Sequence, residues 1–251
     1  MSEKSSSKPV PQKWHKSRMM RRIAKWVGVV ILVLLVIPPV EVALARFWNP
    51  KGGPMHLERR IEAWAGGKPY HTEPMRWTPI DQIPVGLIHA IWASEDQNFF
   101  KHSGFDFWQM KQAIEIAQER GKAVRGASTI SMQCARSAFL VQRHSYLRKA
   151  VEAYYTVWME LLLGKRRILE IYLNNIELGP GVYGVGAAAN FHYGKTPMQL
   201  TKNEMFALAA ILPNPVKWSP THPNAIVQSK ILRVQRLAAR APFPRSELQK
   251  K

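Results

Sequence analysis

Two adjacent carboxylates, Glu95 and Asp96, are followed at fixed intervals by Phe99, His102 and Gly104. A second cluster holds Ser128, Thr129, Ser131, Gln133 and Arg136, and a third holds Arg148, Lys149 and Glu152. Glu95 falls on the same helical stripe as Ile88 and Ile91, so its carboxylate faces apolar surroundings. Partial burial raises a carboxyl pKa towards working pH, which suits a general base. Glu152 is four residues from Arg148, close enough to meet it on one helical face. A solvated salt bridge is one reading of that pair. The other is a second carboxylate beside a phosphate-gripping arginine, and glycosyl transfer commonly uses two carboxylates. Arg136 and Arg148, with Lys149 and Arg125 nearby, could bind a leaving group that departs with negative charge. A solvated basic surface is the plain alternative, and helix capping is the alternative for Ser128 and Thr129.

The elements that carry these clusters read as helices. Pro84 suits a first helical turn, and Leu87, Ile88, Ile91, Glu95 and Phe99 then recur at three- and four-residue steps. Further helices are expected over 107–120, 128–140, 146–163, 167–174, 183–192, 200–212 and 225–240. In 146–163, Leu147, Val151, Tyr154, Trp158, Leu161 and Leu162 form the apolar face and Glu152 lies opposite it. Gly121 to Gly126 reads as a basic loop with Lys122 and Arg125, and Gly179-Pro180-Gly181 as a turn. No alternating strand run and no internal repeat is evident. The chain is expected to be mostly α.

Composition narrows the partners. Of 251 residues, 46% are hydrophobic, enough for one core plus a membrane segment. The net charge of +19 favours polyanionic partners. Cys134 is the only cysteine, so no intrachain disulfide and no cysteine-rich metal site can form. Residues 1–25 are polar and basic, and the apolar run from Trp26 to Val40 is short of the roughly 20 residues that span a bilayer. Extended to Trp48 the run is long enough, at the cost of including Glu41 and Arg46. Ala43-Leu44-Ala45 also fits a small-x-small cleavage site. The long basic region and Pro38-Pro39 favour an uncleaved anchor, N-terminus inside and the remainder exported. Export, and the lack of a nucleic-acid motif, argue against a nucleic-acid partner.

The three clusters read in order as E-D-x-x-F-x-x-H-x-G, G-x-S-T-I-x-x-Q and R-K-x-x-E. This set resembles the glycosyltransferase family 51 domain, which polymerises lipid II into peptidoglycan. Ile168-Leu169-Glu170-Ile171-Tyr172-Leu173-Asn174, Gly181 to Ala188 and Leu208 to Pro215 resemble three later segments of that family, so the match covers roughly residues 75–220. On their own these later segments read as packing and turn positions. Where the family usually has S-T-I-T-Q-Q-L-x-K-N, this chain has Ser131, Met132, Cys134, Arg136 and Ser137 at the variant positions. His144 stands where the family often has arginine, with Arg143 beside it, so that phosphate contact falls to Arg143 or to His144 when protonated.

The resemblance implies a lysozyme-like helical domain with a smaller membrane-proximal lobe, preceded by one transmembrane helix. The expected divisions are a cytoplasmic tail 1–25, an anchor 26–48, a connector 49–74, the glycosyltransferase domain 75–225 and a C-terminal helix and tail 226–251. The chain ends soon after that domain would, so no transpeptidase domain is expected. The resemblance assigns Glu95 as general base and Glu152 as helper to the pyrophosphate leaving group, directly or through Mg or Mn; no organic cofactor is expected. Asp96, His102, Ser128, Thr129, Ser131, Gln133, Arg136, Arg143 and Arg148 would bind substrate. The implied partners are lipid II, the lipid-linked glycan, the membrane, and other peptidoglycan synthases or cell-division proteins. A glycan-cleaving lysozyme-type enzyme leaves Arg136 and Arg148 unexplained, and a non-catalytic cell-wall binding protein predicts that Glu95 is replaceable.

Overall fold

The computed structural model describes residues 13–50, 52–66, 72–121, 128–141 and 145–249. The basic-loop residues Lys122 and Arg125, and the candidate phosphate ligands Arg143 and His144, lie outside the described residues. Ten α-helices and one short hairpin make up the described chain: α1 Lys13–Ala45, α2 Pro54–Ala65, α3 Val85–Glu95, α4 Phe107–Arg120, α5 Ile130–Phe139, α6 Tyr146–Leu162 and α7 Lys165–Asn175. These are followed by β1 Glu177–Gly179, β2 Val182–Tyr183, α8 Val185–Tyr193, α9 Lys202–Ile211 and α10 Ala225–Arg240. The expected mostly α architecture holds.

Local chemistry sets most boundaries. Asp106 caps α4 by accepting from the Gln109 N–H at 2.9 Å, and Gly121 ends the helix in the left-handed region at φ 57°. Thr129, not Ser128, caps α5. Leu163 closes α6, and Gly164 caps α7. Phe99 also departs from expectation: α3 stops at Glu95, and Phe99 is buried from the turn that follows. The hairpin is a further difference from the strand-free reading. β1 and β2 pair antiparallel around Gly181, whose φ is 70°, and strands of three and two residues are too short to show alternation in sequence.

Two groups of helices meet at a cleft. Helices α3, α9 and α10 pack on one another, as do α5, α6 and α7. The fully buried apolar side chains Leu87, Ile88 and Ile91 of α3 and Ile168, Leu169 and Ile171 of α7 form the middle of each group. Asn174 stitches the extended segment before α3 onto α7. Its amide accepts from the Thr78 N–H at 2.7 Å and donates to the Thr78 carbonyl at 2.9 Å. The chain after α10 folds back onto α3, where His89 bonds the Ala241 carbonyl at 2.8 Å and Phe243 packs edge-on against Trp92.

The amphipathic reading of α6 holds only in part. Leu147 and Leu161 are exposed, Val151, Tyr154, Trp158 and Leu162 are half-buried, and the deepest side of the helix carries Glu152, Tyr155, Thr156 and Met159. Helix α1 packs on α6. Residues Met19–Ala45 of α1 are long and apolar enough to cross a membrane. Pro38 and Pro39 lie inside this helix, and proline has no N–H for the carbonyl four residues back. The Tyr154 hydroxyl donates instead to the Leu35 carbonyl that Pro39 leaves unpaired, at 2.8 Å. Tyr155 donates to the Glu41 carboxylate. Arg167 closes the end of α1 with bonds to the carbonyls of Ala45 and Trp48 and to Asn49 Oδ1 at 2.8–3.0 Å.

Replacing Asn174 with alanine strands a buried N–H and a buried carbonyl of Thr78. The expected loss is about 2–4 kcal/mol, read as a thermal midpoint lowered by roughly 5–15 °C in detergent.

Candidate active site

Glu95 ends α3 at the floor of the cleft, whose volume is about 730 Å³. Its side chain is half-buried: protein surrounds it closely, yet the cleft reaches it. Burial is the main influence on its pKa and raises it above the ordinary 4.5; the neighbouring Asp96 adds to this. The Gln133 hydrogen bond and the charge of Arg136 oppose the shift. Gln133 Nε2 donates to Glu95 Oε2 at 2.9 Å. The buried Tyr172 hydroxyl donates to Gln133 Oε1 at 3.0 Å, which fixes the amide with its N–H₂ towards Glu95. No hydrogen bond reaches Glu95 Oε1 among the described residues, so that oxygen can accept a proton from a group placed in the cleft.

The second carboxylate sits deeper. Glu152 has no exposed surface, and each of its oxygens meets a cation: Arg148 Nη1 at 2.6 Å and Lys149 Nζ at 2.5 Å. Lys149 also reaches Ser128 Oγ at 3.3 Å, and Gln133 Nε2 reaches the Ser128 carbonyl at 3.4 Å. A continuous polar chain therefore joins Glu152, Lys149, Ser128, Gln133 and Glu95. Both oxygens of Glu152 already serve Arg148 and Lys149, and among the described residues no three His, Cys, Asp or Glu side chains gather in a way that could hold a metal ion, so a divalent cation here would have to draw its further ligands from substrate phosphates and water.

The other expected substrate ligands divide into two groups. Ser128, Gln133 and Arg136 line the cleft, and Arg148 adjoins it through Glu152 and Lys149. Asp96 borders the cleft but turns its carboxylate inward, accepting from the Ile130 N–H at 3.0 Å and from His102 Nε2 at 2.9 Å. The Gly104 N–H donates to His102 Nδ1 at 3.1 Å, which leaves Nε2 as the ring nitrogen that donates to Asp96. Thr129 and Ser131, expected at the sugar cleft, are buried as well. Thr129 donates to the Gly104 carbonyl at 2.6 Å, and Ser131 to Glu160 Oε1 at 2.5 Å. Lys165 completes this internal cluster, 2.7 Å from Glu160 and above the Phe99 ring. The Thr129 hydroxyl serves two ends at once, since its oxygen also caps α5 by accepting from the Met132 N–H.

Sequence reasoning missed Lys230 and Arg233. Both line the cleft from α10, together with Arg136 from α5 and Glu95 from α3. Their three-residue spacing on an amphipathic helix was the available signal. It passed as part of a basic tail because nothing local says that α10 returns to α3. Gly104, at φ 91°, explains the end of the first motif: a Cβ there would sit 2.8 Å from Thr156 Cγ2 on α6.

Comparison with known proteins is consistent with this geometry. The family model described as Transglycosylase matches residues 64–239. A relative named biosynthetic peptidoglycan transglycosylase from Pseudomonas aeruginosa is 40% identical over 212 residues, covering 84% of this chain and 89% of the relative. Proteins of the same name from Pseudomonas fluorescens SBW25 and Shewanella oneidensis are 43% and 39% identical, covering 82% and 85% of this chain and 82% and 90% of theirs. The matched span runs from the end of α2 almost to the end of α10 and so includes every residue that lines the cleft. The chain belongs to the transglycosylase family.

Proposed function

We propose that this transglycosylase polymerises lipid II into β-1,4-linked glycan, releasing undecaprenyl pyrophosphate. The observation that carries the reading is a single half-buried carboxylate, Glu95, facing the cations Arg136, Lys230 and Arg233 across one cleft. A glycan-cleaving enzyme would have no use for those cations, whereas substrates that carry lipid pyrophosphates, one of them the leaving group, need them.

In this reading Glu95 Oε1 accepts the proton of the acceptor 4-hydroxyl as that oxygen attacks C1 of the lipid-linked glycan. The C1–O bond to pyrophosphate breaks, the anomeric centre inverts, and the lipid pyrophosphate leaves with its charge. Arg136, Arg148 and Lys149 are the cations proposed to meet that charge. Glu152 acts through Arg148 and Lys149 as a positioning residue, since it has no exposed surface of its own. Lys230 and Arg233 are placed to hold a second anionic group of the substrates. The apolar α1 supports a membrane anchor, with residues 1–25 cytoplasmic, 26–48 in the bilayer and the remainder outside. The exposed Phe47 and Trp48 would then lie at the outer interface, and the catalytic body would reach substrates that are themselves bound in the membrane.

The direct test is lipid II polymerisation by the purified, detergent-solubilised protein beside Glu95→Gln. The substitution is expected to lower the rate by about 10²–10⁴-fold. A parent that makes no glycan, or a variant as active as the parent, would sink the reading. Stability should move the other way. Burial raises the folded-state pKa of Glu95, so stability tied to this group is present at low pH and lost as pH rises through that raised value. Removing the charge removes the loss, and Glu95→Gln should unfold at an equal or higher temperature than the parent at neutral pH.

The pH profile follows from the same group. The base must be ionised, so the acid limb of kcat/KM should lie above 4.5. Gln133→Leu deletes a hydrogen bond to the ionised form and should move that limb to still higher pH. Lys230→Met and Arg233→Gln should raise KM for lipid II more than they lower kcat, as measured by steady-state glycan synthesis.

A further inference from the structure

Away from the catalytic cleft, a second cavity of about 590 Å³ opens where α1 ends against α6 and α7. Arg46, the first residue after α1, meets Lys165, Arg166 and Arg167 from the start of α7 there. Leu161 and Leu162 supply an apolar wall, and Leu161 is largely exposed. Two acids share the lining, but Glu170 is bound to Arg167 at 2.8 Å and Glu247 also has a partner. Lys165 is spent on Glu160 and Arg167 on the end of α1. Arg166 uses Nε and Nη2 on the Leu248 carbonyl and Asp81, and among the described residues no hydrogen bond is made by its Nη1. The Arg46 guanidinium rests 6.0 Å from the Phe47 ring and forms no ion pair among the described residues. Two arginines therefore retain unused donors in one cavity.

The position of the cavity says what those donors would meet. If α1 crosses the bilayer, its end at Ala45 marks the outer interface, and the exposed Phe47 and Trp48 lie beside it at headgroup depth. A phosphate at that depth could take hydrogen bonds from Arg46 and Arg166 Nη1 while its acyl chains run along Leu161 and the apolar side of α1. We infer that this cavity binds the phosphate headgroup of an anionic phospholipid, at a site separate from the cleft that holds Glu95. The bound lipid would bridge the end of the anchor to α7, adding to the Arg167 contacts that already join them. The inference rests on the membrane-anchored reading above but not on the catalytic one.

Native mass spectrometry of the full-length protein in detergent provides the test, with dihexanoyl phosphatidylglycerol, dihexanoyl phosphatidylcholine and inorganic phosphate as probes. One phosphatidylglycerol should be retained at concentrations at least tenfold below those needed for either other probe. Arg46→Gln should weaken phosphatidylglycerol binding at least tenfold, and Arg46→Lys should keep most of it. Arg233→Gln, in the cleft, should leave it unchanged. Equal binding of the two lipids, or indifference to Arg46→Gln, overturns the site. Phosphate bound as tightly as phosphatidylglycerol overturns the assignment to a lipid, and loss of binding in Arg233→Gln moves the lipid to the cleft. Glycan synthesis by Arg46→Gln in detergent should match the parent. A parent that binds phosphatidylglycerol but makes no glycan would refute the catalytic reading and leave this site standing. Anchoring is read separately, by flotation of the protein with liposomes.

Discussion

A carboxylate with no exposed surface must be neutralised where it stands, and Glu152 is such a group. Losing one partner of a buried ion pair costs about 3–5 kcal/mol, so the positions of Arg148 and Lys149 are tightly constrained once Glu152 is inside. Lys149 extends the constraint to Ser128, Ser128 to Gln133, and Gln133 to Glu95. The two glutamates thus belong to one hydrogen-bonded chain that crosses from α6 through α5 to the end of α3. Tyr172 on α7 fixes the middle of that chain by choosing which end of the Gln133 amide faces Glu95.

The interior cluster around Asp96 supports the same end of α3 from behind. Asp96 is held by His102 and the Ile130 N–H, while Thr129 and Ser131 tie the start of α5 to Gly104 and Glu160. Glu95 and Asp96 are neighbours in sequence with opposite tasks. One points into the cleft with an oxygen to spare, and the other points inward as a structural acceptor. Their proximity also matters electrostatically, since Asp96 adds to the upward shift that burial imposes on Glu95.

Helix α1 is part of the fold rather than a tether. Tyr154, Tyr155 and Arg167 bind it by its unpaired carbonyls and its one carboxylate near the end of the apolar run. Tyr155 also stacks on Phe139 at the end of α5, so the helix that carries Gln133 and Arg136 shares a contact with the helix that holds α1. A cleft fixed to α1 in this way keeps a set distance from the end of that helix. In the proposed reading, in which α1 crosses the membrane that also holds the substrates, that distance sets where the cleft lies.

Much of this protein was legible in its residues because helix boundaries are local. Helix α4 fills the expected 107–120, and the three motifs begin in order at the end of α3, just before α5 and on α6. Glu95 was legible too, because its stripe with Ile88 and Ile91 predicts partial burial from spacing alone. Which way a helix faces is not local. The apolar side of α6 looks core-facing in sequence, but that side is only partly buried, and the deepest side carries Glu152. The hydroxyls of Thr129 and Ser131 could have served a ligand or the interior, and only the packing of Gly104 and Glu160 against them decided. Lys230 and Arg233 are distant in sequence from every motif, and reach the cleft because α10 packs back on α3 and α9. Sequence by itself determined the residue types, their spacing along each helix and the apolar length of α1. Tertiary structure decided which side of each helix meets another, since burial and charge pairing are settled by neighbours that the chain brings together only on folding.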